Sequence, residues 1–125
     1  MSIQYHNRHK LSPSEECGAK YVSFTDLLKT SDVLSLNLSL NPETKHIIGK
    51  KEFEEMKEGI VIVNTARGPL MDEGALVEAL DEGRVWAAGL DVFEEEPEIH
   101  GGLMGRENVV LLPHVGTATV ETQVC

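Results

Sequence analysis

The chain has little that would hold or localise it by covalent or membrane means. Only two of its 125 residues are cysteine. Cys17 and the terminal Cys125 form neither a paired framework nor C-x-x-C metal spacing, so a reduced, cytoplasmic chain is expected. No apolar run approaches the roughly 20 residues of a membrane span. The opening "MSIQYHNRHK" is too polar to supply the apolar core of a signal peptide. Basic residues are also outnumbered, with 11 Lys and Arg against 21 Asp and Glu, for a net charge of −10. That balance argues against a nucleic-acid partner, which needs a basic face. Any small anion bound here needs cations gathered locally.

What is present is an alternation of short apolar runs with helical stretches. Strands are expected at 2–6, 20–23, 33–38, 60–64, 87–92 and 109–112, and helices at 12–18, 24–30, 51–57 and 72–82. Strands separated by helices need crossover connections and predict a parallel sheet covered on both faces, a doubly wound α/β fold. The run "IVIV" that opens the segment 60–64 suits burial on both faces. Asp72 is a natural N-cap for "DEGALVEALDEG", Leu76, Val77 and Leu80 share one face of that helix, and Gly83 can take its left-handed stop. Gly59 can end the preceding helix in the same way. At 41% hydrophobic and 26% charged the composition suits one globular domain or a piece of one, short for an enzyme that must hold both a cofactor and a substrate. There is no internal repeat. The loop "EEEPEIHGGLMGREN" is long for a compact domain, which hints at binding.

The puzzle is "IVIVNTARG", in which a buried strand delivers an arginine within four residues. In an open parallel sheet, ligands bind beyond the carboxyl ends of the strands. Arg67 follows such a strand and precedes a helix, so it is placed to aim a cation into that crevice; taken alone, it reads equally as a surface arginine ending a strand. Two other strand ends add to it. "AAGLDVFEEEP" carries Asp91 and Glu96, and "VVLLPHVGT" carries His114. Singly these read as a solvated acidic loop and a packed loop histidine. Together, a guanidinium, a carboxylate and an imidazole are the parts for binding an anionic substrate and moving a proton.

The ordered set "NTARGPLMDEGALVEAL", "AAGLDVFEEEP" and "NVVLLPHVGTAT", with "SDVLSLNLSLNPETKHIIG" upstream, resembles the D-isomer-specific 2-hydroxyacid dehydrogenases, closest to the glyoxylate/hydroxypyruvate reductase branch. The resemblance covers essentially the whole chain. It implies a Rossmann-like dinucleotide-binding domain in which Arg67 orients the substrate carboxylate and carbonyl, His114 donates the proton and Glu96 holds His114. By the same resemblance Asp91 contacts the nicotinamide carboxamide, and Thr65, Ala66, Gly116 and Thr117 line the cofactor. Leu38 and Ser39 fall in the turn over the adenine, where relatives commonly carry proline at the position of Ser39. The chemistry suits these residue types. Reducing a 2-oxo acid places hydride on the carbonyl carbon while the oxygen gains charge, so the site needs a cation and a proton.

Cofactor choice has a separate clue. Dinucleotide folds that prefer the unphosphorylated cofactor usually end the second strand in an acid that bonds the ribose hydroxyls. Here that strand ends in Asn7 and Arg8, followed by His9 and Lys10. The basic cluster reads as a 2′-phosphate pocket favouring NADP(H) over NAD(H), the alternative being a solvated strand end.

The glycine-rich G-x-G-x-x-G turn that cradles a pyrophosphate is nowhere in the sequence. The resemblance therefore implies a truncated chain, residues 1–125 forming the C-terminal portion of the NAD(P)-binding domain, with the first strand, its phosphate loop and the substrate domain absent. The first strand of such folds is central, so its loss opens two sheet edges. Activity of the chain on its own is accordingly doubtful. Two other readings remain open: an inactive fragment that associates with a full-length relative or with itself as a homo-oligomer, and a corepressor-like regulator of the same fold.

Overall fold

Six strands and five helices alternate along residues 1–123, the part of the chain that the computed structural model describes. The strands are β1 (Gln4–Tyr5), β2 (Lys20–Tyr21), β3 (Val33–Leu36), β4 (Ile60–Asn64), β5 (Val85–Leu90) and β6 (Val109–Leu111). The helices are α1 (Pro13–Glu16), α2 (Phe24–Thr30), α3 (Lys50–Glu55), α4 (Glu73–Asp81) and α5 (Val120–Gln123). Every strand pairing is parallel, as expected, with β3-β4-β5-β6 in one sheet and β1-β2 in another. The two sheets share no backbone ladder. The side chain of Gln4 joins them, donating to Thr30 Oγ1 at 2.8 Å and Ser31 Oγ at 3.1 Å. Because Ser31 lies just before β3, this contact brings the start of β1 close to the start of β3.

Local chemistry fixes the helix limits. Ser23 caps α2 by accepting from the Asp26 amide, and Asp72 caps α4 by accepting from the Ala75 amide at 3.0 Å, each meeting an amide that has no partner within the helix. Gly59 and Gly83 both take positive φ, 79° and 72°, as their places after α3 and α4 suggest. The observed strands are mostly shorter than the apolar runs that announce them, since a run ends by composition whereas a ladder ends where its partner strand does.

The core lies between the four-stranded sheet and α2, α3 and α4. Leu34 and Leu36 of β3, Ile60 and Ile62 of β4, and Ala88 and Leu90 of β5 pack in one cluster with Leu28, Phe53, Leu76 and Leu80 from the helices. The order β3-β4-β5 steps in one direction across the sheet. Right-handed crossovers then put α3 and α4 on the same side, where they touch each other, and α2 packs against α3 there.

Among the described residues one face of the sheet is left open, and the strand 60–64, expected to be buried on both faces, is fully buried on one. Val61 and Val63 are only half-buried. The register carries their face across Val33, Ala87, Gly89 and Val110; Val33 and Val110 are 59% and 61% exposed, and Trp86 on the same side is 68% exposed. A single crossover direction covers one face, and no described helix is placed over the centre of the other.

The strand ends pack more closely than the strands. Asn64, the fully buried last residue of β4, accepts from the Ala66 amide at 3.1 Å and donates to the Arg67 carbonyl at 3.0 Å, folding the chain back on itself. Gly68 then lies directly against the peptide that follows β5. A Cβ at Gly68 would fall 1.9 Å from the carbonyl carbon and oxygen of Phe93 and 2.5 Å from the Glu94 nitrogen.

Two outcomes follow from this packing. Gly68→Ala is expected to lower unfolding stability by about 1–3 kcal/mol, because backbone must move to admit one methyl group; equilibrium urea denaturation measures it, and an unchanged midpoint contradicts the close approach. The open face is expected to drive concentration-dependent self-association that Trp86→Lys weakens, as read by sedimentation velocity across a dilution series.

Candidate active site

The carboxyl ends of β4, β5 and β6 lie side by side and carry the three residues that the motifs single out. Leu112 extends the ladder by donating from its amide to the Leu90 carbonyl, and the Asp91 amide donates to the Asn64 carbonyl. Adjacent strand ends thus bring together loops that are far apart in the sequence.

Glu96 and His114 meet directly, with Glu96 Oε2 2.8 Å from His114 Nδ1. The other oxygen, Oε1, accepts from the Phe93 amide at 3.0 Å. The hydrogen bond from His114, and then that from the Phe93 amide, hold the Glu96 carboxyl below its ordinary value of 4.5, so Glu96 is a carboxylate throughout the neutral range. The sign of the linkage follows. This pair contributes stability above the ordinary glutamate range, and the contribution is lost as pH falls through the lowered value.

His114 sits at φ 57°, in the left-handed region, and Asp91 holds the turn. Asp91 is 4% exposed. Its Oδ1 accepts from the Val115 amide at 2.8 Å and its Oδ2 from the Gly116 amide at 2.7 Å. The sequence points to Asp91 only as a cofactor contact; in the structure its carboxylate also clamps the loop that carries the histidine. Each oxygen keeps a second lone pair, so the clamp and a further donor are compatible. Gly116 belongs to the same clamp, since a Cβ there would lie 2.8 Å from Asp91 Oδ2.

Arg67 is exposed beyond β4 and donates from Nη1 to the carbonyl of Ala66 at 2.6 Å. It forms no ion pair with a carboxylate among the described residues, so its charge is free to meet an anion. Thr65, Gly116 and Thr117 are exposed and Ala66 is half-buried. Farther along the edge, Leu38 is half-buried against the core, and the carbonyl of exposed Ser39 accepts from Thr44 Oγ1 at 2.8 Å.

The basic cluster follows β1 directly. The Asn7 side chain accepts from the Arg8 amide at 2.9 Å and its carbonyl from the Tyr21 hydroxyl at 3.2 Å. Arg8 and His9 are exposed and enter no ion pair among the described residues, whereas Lys10 lies 3.8 Å from Glu16. Arg8 and Arg67 are thus two exposed cations without an acidic partner among the described residues, which suits the phosphates and carboxylates of a bound dinucleotide and its substrate.

Asn64 and Gly68 are site-forming residues that the motifs do not flag, because a buried amide and a missing side chain announce no chemistry. The signal available was their position, directly after a buried strand. Among the described residues no helix is long and apolar enough to cross a membrane, and no group of three metal-ligating side chains converges. Cys17 is free and exposed; Cys125 lies outside the described residues.

The family model for D-isomer specific 2-hydroxyacid dehydrogenase, NAD binding domain, matches residues 1–116. The chain is 65% identical over 123 residues to 4-methyl-2-oxopentanoate reductase A of Aspergillus oryzae, covering 98% of this chain and 37% of that protein. It is 51% identical over 119 residues to glyoxylate reductase 1 of Saccharomyces cerevisiae, covering 95% and 34%. The crystal structure of a glyoxylate reductase from Paecilomyes thermophila superimposes with a TM-score of 0.97 at 60% identity, over 99% of this chain and 38% of that one. The chain thus spans little more than a third of the length of the relatives it matches. With a parallel sheet of the same Rossmann-like form and a family model that covers nearly all of it, the chain belongs to the D-isomer specific 2-hydroxyacid dehydrogenases, within their NAD-binding domain.

Proposed function

We propose that this chain forms part of the dinucleotide-binding domain of a cytoplasmic, oligomeric 2-hydroxyacid dehydrogenase that reduces glyoxylate or hydroxypyruvate with NADPH. The observation that carries the reading is the Glu96–His114 pair at 2.8 Å, one strand end away from an arginine with no acidic partner among the described residues. The relatives named above act, by their names, on glyoxylate or on 4-methyl-2-oxopentanoate. Both are 2-oxo acids, and a carboxylate beside a carbonyl is what Arg67 can grip.

The nicotinamide, when bound, supplies the hydride. The protein's own groups do the rest. Arg67 offers a planar fork to the substrate carboxylate and carbonyl and is the cation facing the oxygen as it gains charge. His114 has Nδ1 committed to Glu96, which leaves Nε2 to deliver a proton to that oxygen. Glu96, held ionised, fixes the ring and favours its charged form. Asp91 keeps the His114 turn in place and retains lone pairs for a carboxamide N–H. Arg8, with Asn7 and His9 beside it, is placed for a 2′-phosphate, which supports NADP(H) over NAD(H).

Two measurements test this reading, both on a chimera that joins the chain to the phosphate loop and substrate domain of a relative. In the first, Arg8→Asp is expected to weaken NADPH use far more than NADH use, because a phosphate partner is replaced by a like charge; an unchanged preference ratio returns "NRHK" to a solvated strand end. In the second, steady-state pH–rate profiles for glyoxylate reduction are compared. His114→Ala is expected to cost roughly 10²–10⁴-fold in rate, and Arg67→Lys to impair substrate use mainly, since an ammonium keeps the charge but loses the fork. Glu96→Gln should move the alkaline fall of the rate to lower pH, because the neutral amide no longer favours a charged ring; a profile left in place refutes the dyad.

A further inference from the structure

The Phe93–Glu94 peptide joins the arginine loop to the histidine loop, and it is held from behind by groups that no motif explains. The Glu94 amide donates to Glu73 Oε1 at 2.8 Å, and the Glu73 amide donates to Glu94 Oε1 at 2.8 Å, so the two residues exchange backbone donors for carboxylate acceptors. Glu94 Oε2 then meets His46 Nε2 at 2.7 Å. We propose that His46, Glu94 and Glu73 are positioning residues that set the Glu96 carboxylate on His114 by fixing the Phe93–Glu94 peptide. The proposal rests on the dyad reading given above.

The geometry leads from one group to the next. The Phe93 amide, in the peptide unit directly before the clamped one, is the donor that holds Glu96 Oε1. Gly68 packs on the same peptide, so the clamp also governs the height of the loop that carries Arg67. His46 is anchored independently. Its amide donates to the Pro69 carbonyl, and neighbouring Ile48 exchanges hydrogen bonds with Leu70 and Asp72. It also holds φ 51°, a left-handed conformation that histidine, asparagine and aspartate adopt more readily than other non-glycine residues.

Stability alone does not account for the choice of side chains. Glu73 is 6% exposed, and burial together with the nearby Glu94 charge raises its carboxyl above the ordinary range, the Glu94 amide working in the opposite sense. Two facing carboxylates are an unfavourable way to fasten a helix to a loop. They do, however, tie the Phe93–Glu94 peptide to the first turn of α4, since the Glu73 carboxylate grips the Glu94 amide, the Glu94 carboxylate grips the Glu73 amide, and His46 fixes the outer oxygen of Glu94.

The test is a carbon-13 NMR titration of the Glu96 side-chain carboxyl in the 125-residue chain, beside urea denaturation of each variant. Four proteins are compared: the parent, His114→Ala, Glu94→Ala and His46→Asn. Asparagine tolerates the left-handed backbone at position 46, so that variant keeps its fold while losing the imidazole. His114→Ala removes the first partner of Glu96 and is expected to raise its midpoint. Glu94→Ala and His46→Asn touch neither Glu96 nor His114, yet each is expected to raise the Glu96 midpoint by about half a unit as the Phe93 amide loosens. A merely structural role would lower the urea midpoint and leave the Glu96 titration in place in the folded protein, which overturns the proposal. If His114→Ala itself leaves the Glu96 midpoint unchanged, the dyad reading fails and the proposal falls with it. A shift with His114→Ala but none with the other two removes the proposal alone.

Discussion

The site depends on one steric constraint, the contact of the Gly68 α-carbon with the Phe93–Glu94 peptide. No side chain fits between them. The consequence is that the loop after β4 and the loop after β5 cannot shift independently, which ties the backbone before and after Arg67 to the backbone that leads to Glu96, 29 positions on in the sequence. Asn64 and Asp91 extend the same logic. Each is a buried polar residue whose hydrogen bonds are spent on backbone, and each thereby converts a strand end into a shaped loop. In a low-dielectric setting an unsatisfied group of this kind would cost about 1–3 kcal/mol, so the loop shapes and the satisfaction of these side chains are mutually enforcing.

Charge is arranged on a different principle. Much of the −10 lies on the solvated surface, where pairs such as Lys50–Glu78 and Lys57–Asp32 are exposed enough to contribute little to stability. Arg8 and Arg67, which follow strand ends, enter no ion pair among the described residues, in a chain of 21 acids and 11 bases, and Lys20, Lys29, Lys45 and Arg84 enter none either. Leaving cations unpaired at strand ends sets a local field for anions against an unfavourable overall one. The acidic residues near the site, Asp91 and Glu96, are turned onto amides and an imidazole instead of onto Arg67.

The one-sided sheet follows from topology. Successive right-handed crossovers that advance in the same direction put their helices on one side, and the apolar alternation of β3, β4 and β5 then leaves Val33, Val61 and Val63 facing away from them. The same directional order brings the ends of β4, β5 and β6 into contact, so the feature that leaves a face uncovered also assembles the site.

The sequence by itself determined the element types, the parallel pairing and the caps at Asp72 and Gly83, and it singled out Arg67, Glu96 and His114 as candidates. Periodicity, capping and chemically distinctive side chains are local properties, readable wherever they occur. Only the tertiary structure decided that Glu96 reaches His114 while also taking the Phe93 amide, that Asp91 clamps the histidine turn, and that Gly68 is required by a neighbouring backbone. It also decided that one sheet face stays open, which an apolar run cannot reveal because it records only that both faces could be buried. His46, Glu73 and Glu94 were illegible for the same reason. Their roles arise from hydrogen bonds between residues 21 to 48 positions apart, and no local pattern encodes which distant amide a carboxylate will meet.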